Sequence, residues 1–328
     1  MSQLRQNPIS KDWVLIAPNR SRRPDEFAAP KTAAENLPEI DPNCPFCPGN
    51  EGTNAEIARI PKGKNWDVRV IPNKFEALAH IPKSIKRDFF VHLTGSGDHE
   101  VIINRKHNEP IALQSIPIVT LTLQVLRQRL LDLGMSEHLA YAHIFHNHGR
   151  EAGASIAHPH YQILATPIVP AAVHTELSGA FDYFRHNNSN IYADLINEER
   201  IQAERVILET DNFIVLAPYA SKHPFESMIL PKWHAPKYED TSDQKLAELA
   251  YVLKAIMANL FVRLNNPSVN FYLHTMPFAR TKNLIHDENA YRWHISIFPR
   301  LTVWAGFEFG TGIPVNLMSP EEAAKFLK

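Results

Sequence analysis

Short apolar runs rich in β-branched residues alternate along the chain with two longer segments in which apolar residues recur at helical spacing. The spacing predicts helices over Ile118–Leu133 and, capped by Ser242, over Asp243–Leu264. Alternation and composition predict strands over Val68–Ile71, Phe90–Leu93, Val101–Ile103, Tyr141–His146, Tyr161–Ala165, Phe213–Leu216, Ser227–Leu230, Val269–Leu273 and His294–Phe298. Residues 1–65 carry recurrent proline without periodicity, so an irregular segment packed through its aromatic side chains is expected there.

Short strings recur in the same order in both halves of the chain. Glu100–His107 resembles Glu226–His234, and His158–His160 resembles Arg292–His294, at offsets that stay between 127 and 138 residues. Chance similarity between short apolar strings is the alternative explanation. The pattern predicts an α+β fold of two copies of one module, over residues 1–190 and 191–328, each an antiparallel sheet with packed helices.

Composition and charge narrow the class of protein. The chain has 328 residues, 44% of them hydrophobic, and a formal net charge of −1, which gives no reason to expect nucleic-acid or anionic-membrane binding. No apolar run approaches the roughly 20 residues that span a bilayer, and the first residues lack the apolar centre of a signal peptide. The expected location is the cytoplasm.

The densest polar segment runs from Asn147 to Gln162. Because alternate residues of a strand share a face, His158, His160 and Gln162 are expected on one face and Tyr161 on the other. The loop before them is rich in small residues, so its backbone N–H groups can approach an anion. This arrangement favours phosphoryl chemistry, with a covalent nucleophile at position 160 and an amide donor at position 162. An exposed histidine-rich strand is the alternative.

The chain has two cysteines, Cys44 and Cys47, whose spacing is that of half a zinc site. His107 and His158 are the preferred remaining ligands, because His107 ends a strand predicted beside the nucleophile strand and His160 cannot be both nucleophile and ligand. A redox pair and two unrelated cysteines are the alternatives.

At these residues the sequence resembles the galactose-1-phosphate uridylyltransferase family of the histidine-triad superfamily. The resemblance covers nearly the whole chain, and it rests on Trp13–Leu15, Arg20–Pro24, Cys44–Gly49, Val68–Leu78, Asn147–Gln162 and Arg300–Phe307. It implies two tandem histidine-triad-like modules, a homodimer, and ping-pong transfer of a uridylyl group between UDP-hexose and hexose 1-phosphate.

The resemblance also implies roles for individual residues. His160 would carry the nucleotidyl group, Gln162 would stabilise the transferring phosphoryl group, and zinc would be held by Cys44, Cys47, His107 and His158. Nucleotide-binding positions would be Asn73, Phe75, Asn147, Gly153 and Ser155. Sugar-phosphate positions would be Arg20, Arg23, Phe307 and Glu308; the two arginines reach a neighbouring subunit's site in the family.

Two departures from the family pattern concern metal content and substrate. Glu176, His274 and His294 match three ligands of a second metal site, but Arg292 stands at the fourth and cannot ligate a metal. A second metal is therefore not expected, and Arg292 either replaces its charge or forms an ordinary salt bridge. The segment from Ala305 to Asn316 also resembles the ADP-glucose phosphorylase branch, with Pro314 near the position of the family's sugar-reading glutamine.

Other activities remain as alternatives. ADP-glucose phosphorolysis would transfer an adenylyl group to phosphate. A nucleotide hydrolase of the same superfamily is disfavoured by Gln162, since the hydrolase motif usually ends in another histidine. A non-catalytic zinc-binding module would not require the loop and the nucleophile to coincide.

Overall fold

A computed structural model gives the positions of residues 1–18, 27, 37–52, 55–79, 81, 84–278 and 287–328. The predicted sugar-phosphate residues Arg20 and Arg23 lie outside this described part. Within it, no helix has the length and apolar character needed to cross a membrane.

The first half of the chain, with the connection to the second, supplies nine strands and three helices among the described residues. The strands are β1 (Gln3–Gln6), β2 (Trp13–Ile16), β3 (Ala58–Ile60), β4 (Val68–Pro72), β5 (Ile85–Lys86), β6 (His92–Leu93), β7 (Asp98–Asn104), β8 (Tyr141–His148) and β9 (His160–Thr166). The helices of this half and the connection to the next are α1 (Ile116–Gly134), α2 (Ala171–Asn187) and α3 (Ile191–Gln202).

The second half supplies six further strands and three helices among the described residues. The strands are β10 (Val206–Glu209), β11 (Phe213–Leu216), β12 (Ser227–Pro231), β13 (Val269–His274), β14 (His294–Pro299) and β15 (Val315–Asn316). The helices are α4 (Asp243–Arg263), α5 (Gly306–Thr311) and α6 (Pro320–Leu327).

Ten strands form one antiparallel sheet in the order β3-β4-β7-β9-β8-β13-β14-β12-β11-β10. Its two five-stranded halves have the same internal order and meet where β8 pairs with β13, Phe271 opposite His146. Taken in chain order, the third and fourth strands of each half are connected by one long helix. This helix is α1 between β7 and β8, and α4 between β12 and β13. The sequence prediction of an α+β fold built on antiparallel strands is confirmed.

The two faces of this sheet are covered differently. Helices α1 and α4 pack on one face over a continuous apolar core that includes Leu126, Leu253 and Tyr161. On the other face α2 and α3 cover the second half, where Leu177 and Tyr192 belong to one buried apolar cluster with residues of β11 and β12. Where β8 and β9 contribute to that face, the residues are only half-buried: Phe145, Asn147, Gln162 and Leu164. The fold therefore leaves a partly open surface where the histidine-rich strand lies.

Two predictions about the elements were wrong in part. Residues 1–65 are not irregular throughout: β1 and β2 form a hairpin, and β2 also pairs in parallel with β15, Leu15 N–H donating to Pro314 O at 2.9 Å. The partner strand comes from the other end of the chain, so local sequence gives no sign of it. The strand predicted over Phe90–Leu93 shortens to β6, and the Phe90 side chain before it is 78% exposed.

Candidate active site

Strand β9 places the two central residues on the partly open face. His160 and Gln162 face that side, whereas Tyr161 between them is fully buried in the core under α1. Phe46 packs edge-on against both His158 and His160, with ring centroids 6.0 and 5.2 Å away. His160 and Gln162 therefore share one face as predicted, whereas His158 precedes β9 and is fully buried.

Hydrogen bonds fix the protonation pattern of the His160 ring. Its Nδ1 lies 2.8 Å from the carbonyl oxygen of His158, and because a carbonyl only accepts, Nδ1 must carry the hydrogen. The neutral ring then has its lone pair on Nε2. Burial lowers the pKa of His160, which favours the neutral form. The arrangement presents an unprotonated imidazole nitrogen.

A second histidine holds the backbone of this residue from the opposite side of the sheet. His146 Nδ1 lies 2.7 Å from the carbonyl oxygen of His160 and donates to it. Its ring stacks against Phe271 and lies beside Tyr161 in the core, and burial lowers its pKa to about 3. A neutral, packed histidine thus anchors the start of β9.

Gln162 is joined to the predicted nucleotide-binding loop through His99 on β7. Gln162 Oε1 lies 2.9 Å from His99 Nε2, and Asn73 Nδ2 lies 3.1 Å from the same nitrogen. Asn73 Oδ1 accepts the backbone N–H of Phe75 at 2.9 Å, and the Phe75 ring is 81% exposed. Asn73 and Gln162 are therefore brought together, while Phe75 extends into solvent.

The small-residue loop is folded on itself more than the sequence suggested. Gly153 N–H donates to Arg150 O and Ala154 N–H to Gly149 O, so these two amides are not free for an anion. Gly149 has φ 81°, and a Cβ there would stand 2.2 Å from Ser268 Oγ. Asn147 Oδ1 accepts from Asn270 Nδ2 at 2.8 Å. No hydrogen bond within the described residues engages the Ser155 amide or hydroxyl, which leaves both for a ligand.

A cavity of about 770 Å³ adjoins this loop. It is lined by Gly149, Arg150, Ser155, His107 and Asn266, among others, but neither by His160 nor by Gln162. The histidine ring is directed to the partly open sheet face instead of into this cavity.

The Cys and His residues predicted to bind a metal form one buried cluster. Cys44 Sγ lies 3.6 Å from His158 Nδ1, and Cys47 Sγ lies 3.5 Å from both His158 Nδ1 and His107 Nδ1. The four ligand atoms lie within 4.8 Å of one another. His158 Nε2 donates to Asn104 O at 2.5 Å, which turns Nδ1 towards the sulfurs. This donor set could bind a metal ion.

The second acidic and histidine cluster lies where β13 and β14 meet α2. Glu176 Oε2 is 2.9 Å from His274 Nδ1, 3.6 Å from His294 Nε2 and 3.3 Å from the Tyr291 hydroxyl. Burial opposes ionisation of Glu176, but the two histidines outweigh it and lower its pKa to about 2. The three residues are close enough to share an ion.

Arg292 contacts that cluster through its backbone, since its carbonyl oxygen accepts from His294 Nδ1 at 3.3 Å, whereas its guanidinium is bound elsewhere. Its Nη1 donates to Pro231 O at 3.0 Å and to Lys232 O at 3.1 Å, at the end of β12. Burial lowers the pKa of the guanidinium to about 10. Among the described residues no salt bridge to Arg292 is present, so the ordinary salt bridge is not found, and charge replacement stays a prediction.

Phe307 and Glu308 lie on the short helix α5, in the second half of the chain. Phe307 is 50% exposed, and Glu308 accepts the backbone N–H of Ala305 at its own helix start. Among the described residues, no hydrogen bond or ring contact joins either side chain to His160 or Gln162, and their proposed sugar-phosphate role stays a prediction.

Sequence analysis missed His99 and His146, which both touch the central residues. Period-2 alternation in β7 places His99 on the face of Val101, and Val101 is paired with Gln162. That pairing, once known, would have identified His99.

Known proteins resemble this chain over nearly its whole length. The family models described as the N-terminal and C-terminal domains of galactose-1-phosphate uridyl transferase match residues 1–170 and 176–302. ADP-glucose phosphorylase of Arabidopsis thaliana is 32% identical over 335 residues, covering 99% of this chain and 92% of that protein. Galactose-1-phosphate uridylyltransferase of Haemophilus influenzae is 30% identical over 307 residues, covering 90% and 83%.

The solved structures agree. The crystal structure of the Arabidopsis thaliana ADP-glucose phosphorylase with bound ADP-glucose matches with a TM-score of 0.84 and 29% identity, covering 100% of this chain and 98% of that one. A uridylyltransferase structure matches with a TM-score of 0.76 at 23% identity, which speaks for the fold alone. On these matches, the chain belongs to the galactose-1-phosphate uridyl transferase family.

Proposed function

We propose that this protein is a nucleotidyltransferase that moves a nucleotidyl group from a nucleoside-diphosphate hexose to an acceptor through a covalent intermediate on His160. The observation that carries the proposal is the His160 ring, whose Nδ1 is tied to the His158 carbonyl and whose Nε2 is free of a hydrogen in the neutral form. The homology to named nucleotidyl-transferring enzymes supports it.

The proposed reaction balances in two displacement steps. His160 Nε2 forms a bond to the α-phosphorus, the bond from that phosphorus to the bridging oxygen breaks, and hexose 1-phosphate leaves. A phosphate oxygen of the acceptor then attacks the same phosphorus and His160 leaves. The carbonyl of His158 stabilises the positive imidazole ring of the intermediate through Nδ1–H. Gln162 donates from its amide nitrogen to a phosphoryl oxygen on which charge develops.

Two donor and acceptor pairs fit this scheme. The first is UDP-hexose with hexose 1-phosphate, as the family description and the Haemophilus influenzae relative suggest. The second is ADP-glucose with inorganic phosphate. It is favoured by the match to the Arabidopsis thaliana enzyme, which extends over 99% of this chain.

We propose zinc as the ion of the Cys44, Cys47, His107 and His158 cluster. Tetrahedral zinc, with its usual bond lengths to sulfur and nitrogen, requires sulfur–nitrogen separations of about 3.6 Å, and the three observed separations are 3.5 to 3.6 Å. The ion would fix His158 and, through its carbonyl, the His160 ring. Without a cation, burial raises the pKa of the Cys47 thiol to about 11, so a bound cation is what would hold the thiolate.

We further propose one metal per chain, the Glu176 cluster serving as a hydrogen-bonded core. Arg292 stands in the sequence where the family pattern has the remaining ligand, and its guanidinium donates to the carbonyl oxygen of Pro231. The shared strand order of the two sheet halves supports two tandem histidine-triad-like modules, over residues 1–190 and 191–328. A homodimer is carried by the family resemblance alone, and light scattering of the purified protein tests it. The proposed cytoplasmic location rests on the sequence features given above and not on that resemblance.

The decisive test of the proposed function is covalent labelling. The protein is incubated with UDP-glucose or ADP-glucose radiolabelled in the α-phosphate, and acid-labile label on the protein is measured. We expect label on the wild type and on His143→Gln, a control on the same face of the neighbouring strand, and none on His160→Gln. Label on His160→Gln would exclude this nucleophile.

The acceptor that removes the label from the protein identifies the reaction. Galactose 1-phosphate that collects the label from a uridine donor supports the first pair, and inorganic phosphate that collects it from an adenine donor supports the second. Product formed without any acceptor indicates a hydrolase. Stoichiometric zinc with neither label nor turnover would leave only a non-catalytic zinc-binding module.

A further inference from the structure

His99 lies between the proposed catalytic amide and the loop expected to hold the nucleotide. His99 lies on β7 and is 9% exposed. Val101, two residues further along the same strand, is paired with Gln162 on β9. Its carbonyl accepts the Asn73 N–H at 2.7 Å, and its ring contacts Gln162 at 2.9 Å. One residue therefore contacts both parts of the site through its backbone and its side chain.

The hydrogen-bond partners of the ring decide which way the Gln162 amide points. Ala77 N–H donates to His99 Nδ1 at 3.3 Å, so Nδ1 carries no hydrogen and the neutral ring carries it on Nε2. Gln162 must then turn its oxygen to His99, and its amide nitrogen is directed away from the ring. Because Nε2 carries a hydrogen, Asn73 Nδ2 cannot donate to it across their 3.1 Å separation, and the Asn73 side-chain oxygen is already engaged by Phe75 N–H. The amide hydrogens of Gln162 and of Asn73 thus have no acceptor on the His99 ring, and a substrate oxygen can accept from them.

The second half of the sheet lacks this pair at the same register. Ser296 on β14 is paired with Met228 as Gln162 is paired with Val101, and the residue two positions before Met228 is Glu226. The strand order there is the same, so the fold does not itself require a histidine and a glutamine at these positions. The pair occurs only in the half that carries His160.

We propose that His99 is a positioning residue for nucleotidyl transfer, which orients the Gln162 amide towards the phosphoryl group and couples it to the Asn73 loop. This inference rests on the proposed function. His99 acts through Gln162, so it need not touch the reacting atoms.

A double-mutant cycle on single-turnover labelling of the full-length protein tests the inference. We expect Gln162→Ala to slow nucleotidyl transfer by about 100-fold, as loss of a transition-state donor does, and His99→Ala to slow it by about 10-fold or more. Donor affinity should change by less than about threefold, because the loss falls on the transition state. The double variant should be no slower than Gln162→Ala alone.

Two further variants separate positioning from folding. His99→Gln places an amide nitrogen near the position of Nε2 and should recover most of the rate. His92→Ala removes an exposed histidine from β6 on the same stretch of chain and should leave the rate unchanged. Rate losses that multiply in the double variant, or a normal rate in His99→Ala, would overturn the positioning role. Absence of labelling in the wild type would instead overturn the proposed function itself, and the inference with it.

Discussion

The ion pair between Glu100 and Arg129 joins β7 to α1 beneath the candidate site. Arg129 Nε and Nη2 donate to the two carboxylate oxygens at 2.8 and 2.6 Å, and the side chains are 14% and 4% exposed. Glu100 follows His99 on β7 and points to the opposite face, into the helical layer. The pair therefore fixes the strand from which His99 reaches Gln162.

Removal of the arginine leaves a buried carboxylate without its two charge-assisted donors. For Arg129→Met we expect a loss of about 3–5 kcal/mol in the free energy of unfolding, the range for a broken buried pair. The double variant Glu100→Gln/Arg129→Met should recover most of that loss, because its amide carries no charge to desolvate. The penalty thus belongs to the orphaned charge and not to the contact as such.

Urea unfolding at pH 7, followed by circular dichroism, measures both losses. Lys106→Met provides the control, because Lys106 Nζ lies at the same 2.6 Å from Glu109 but its side chain is 42% exposed. No measurable change is expected there. The reasoning would be refuted if Arg129→Met lowered the free energy of unfolding no more than Lys106→Met does. A double variant less stable than Arg129→Met would refute it as well.

Three further predictions concern pH, metal and strand anchoring. Burial raises the pKa of Glu226 from 4.5 to about 7, so the folded protein keeps this proton to higher pH than the unfolded protein, and stability falls as the pH rises between these values. Glu226→Gln should remove that decline. In urea unfolding, the free energy of unfolding of this variant should exceed that of the wild type by about 1–3 kcal/mol at pH 8 and by little at pH 4. Cys47→Ser should reduce metal content from about one ion per chain towards none and lower the thermal midpoint; unchanged metal content would contradict the cluster. His146→Phe keeps the ring packing but removes the donor to His160 O, and should lower stability by about 1 kcal/mol; an unchanged urea midpoint would show that this bond contributes nothing.

Local patterns in the sequence were enough for most elements of the sheet and for the heart of the site. Apolar spacing located α4 to within one residue of its end, and Phe213–Leu216 is β11 as predicted. Alternation along β9 placed His160 and Gln162 on one face. These features depend on residues a few positions apart, whose relative directions the backbone geometry itself fixes.

Contacts between distant segments could not be read in the same way. The pairing of β2 with β15 joins residues some 300 positions apart, and it turned a stretch that looked irregular into a strand. His99 acquires its relation to Gln162 only because β7 pairs with β9, and Arg292 is drawn to the carbonyls at the end of β12. Sequence spacing determines which face a side chain occupies, whereas strand pairing across the sheet decides which side chains meet on that face, because it depends on the packing of the whole chain.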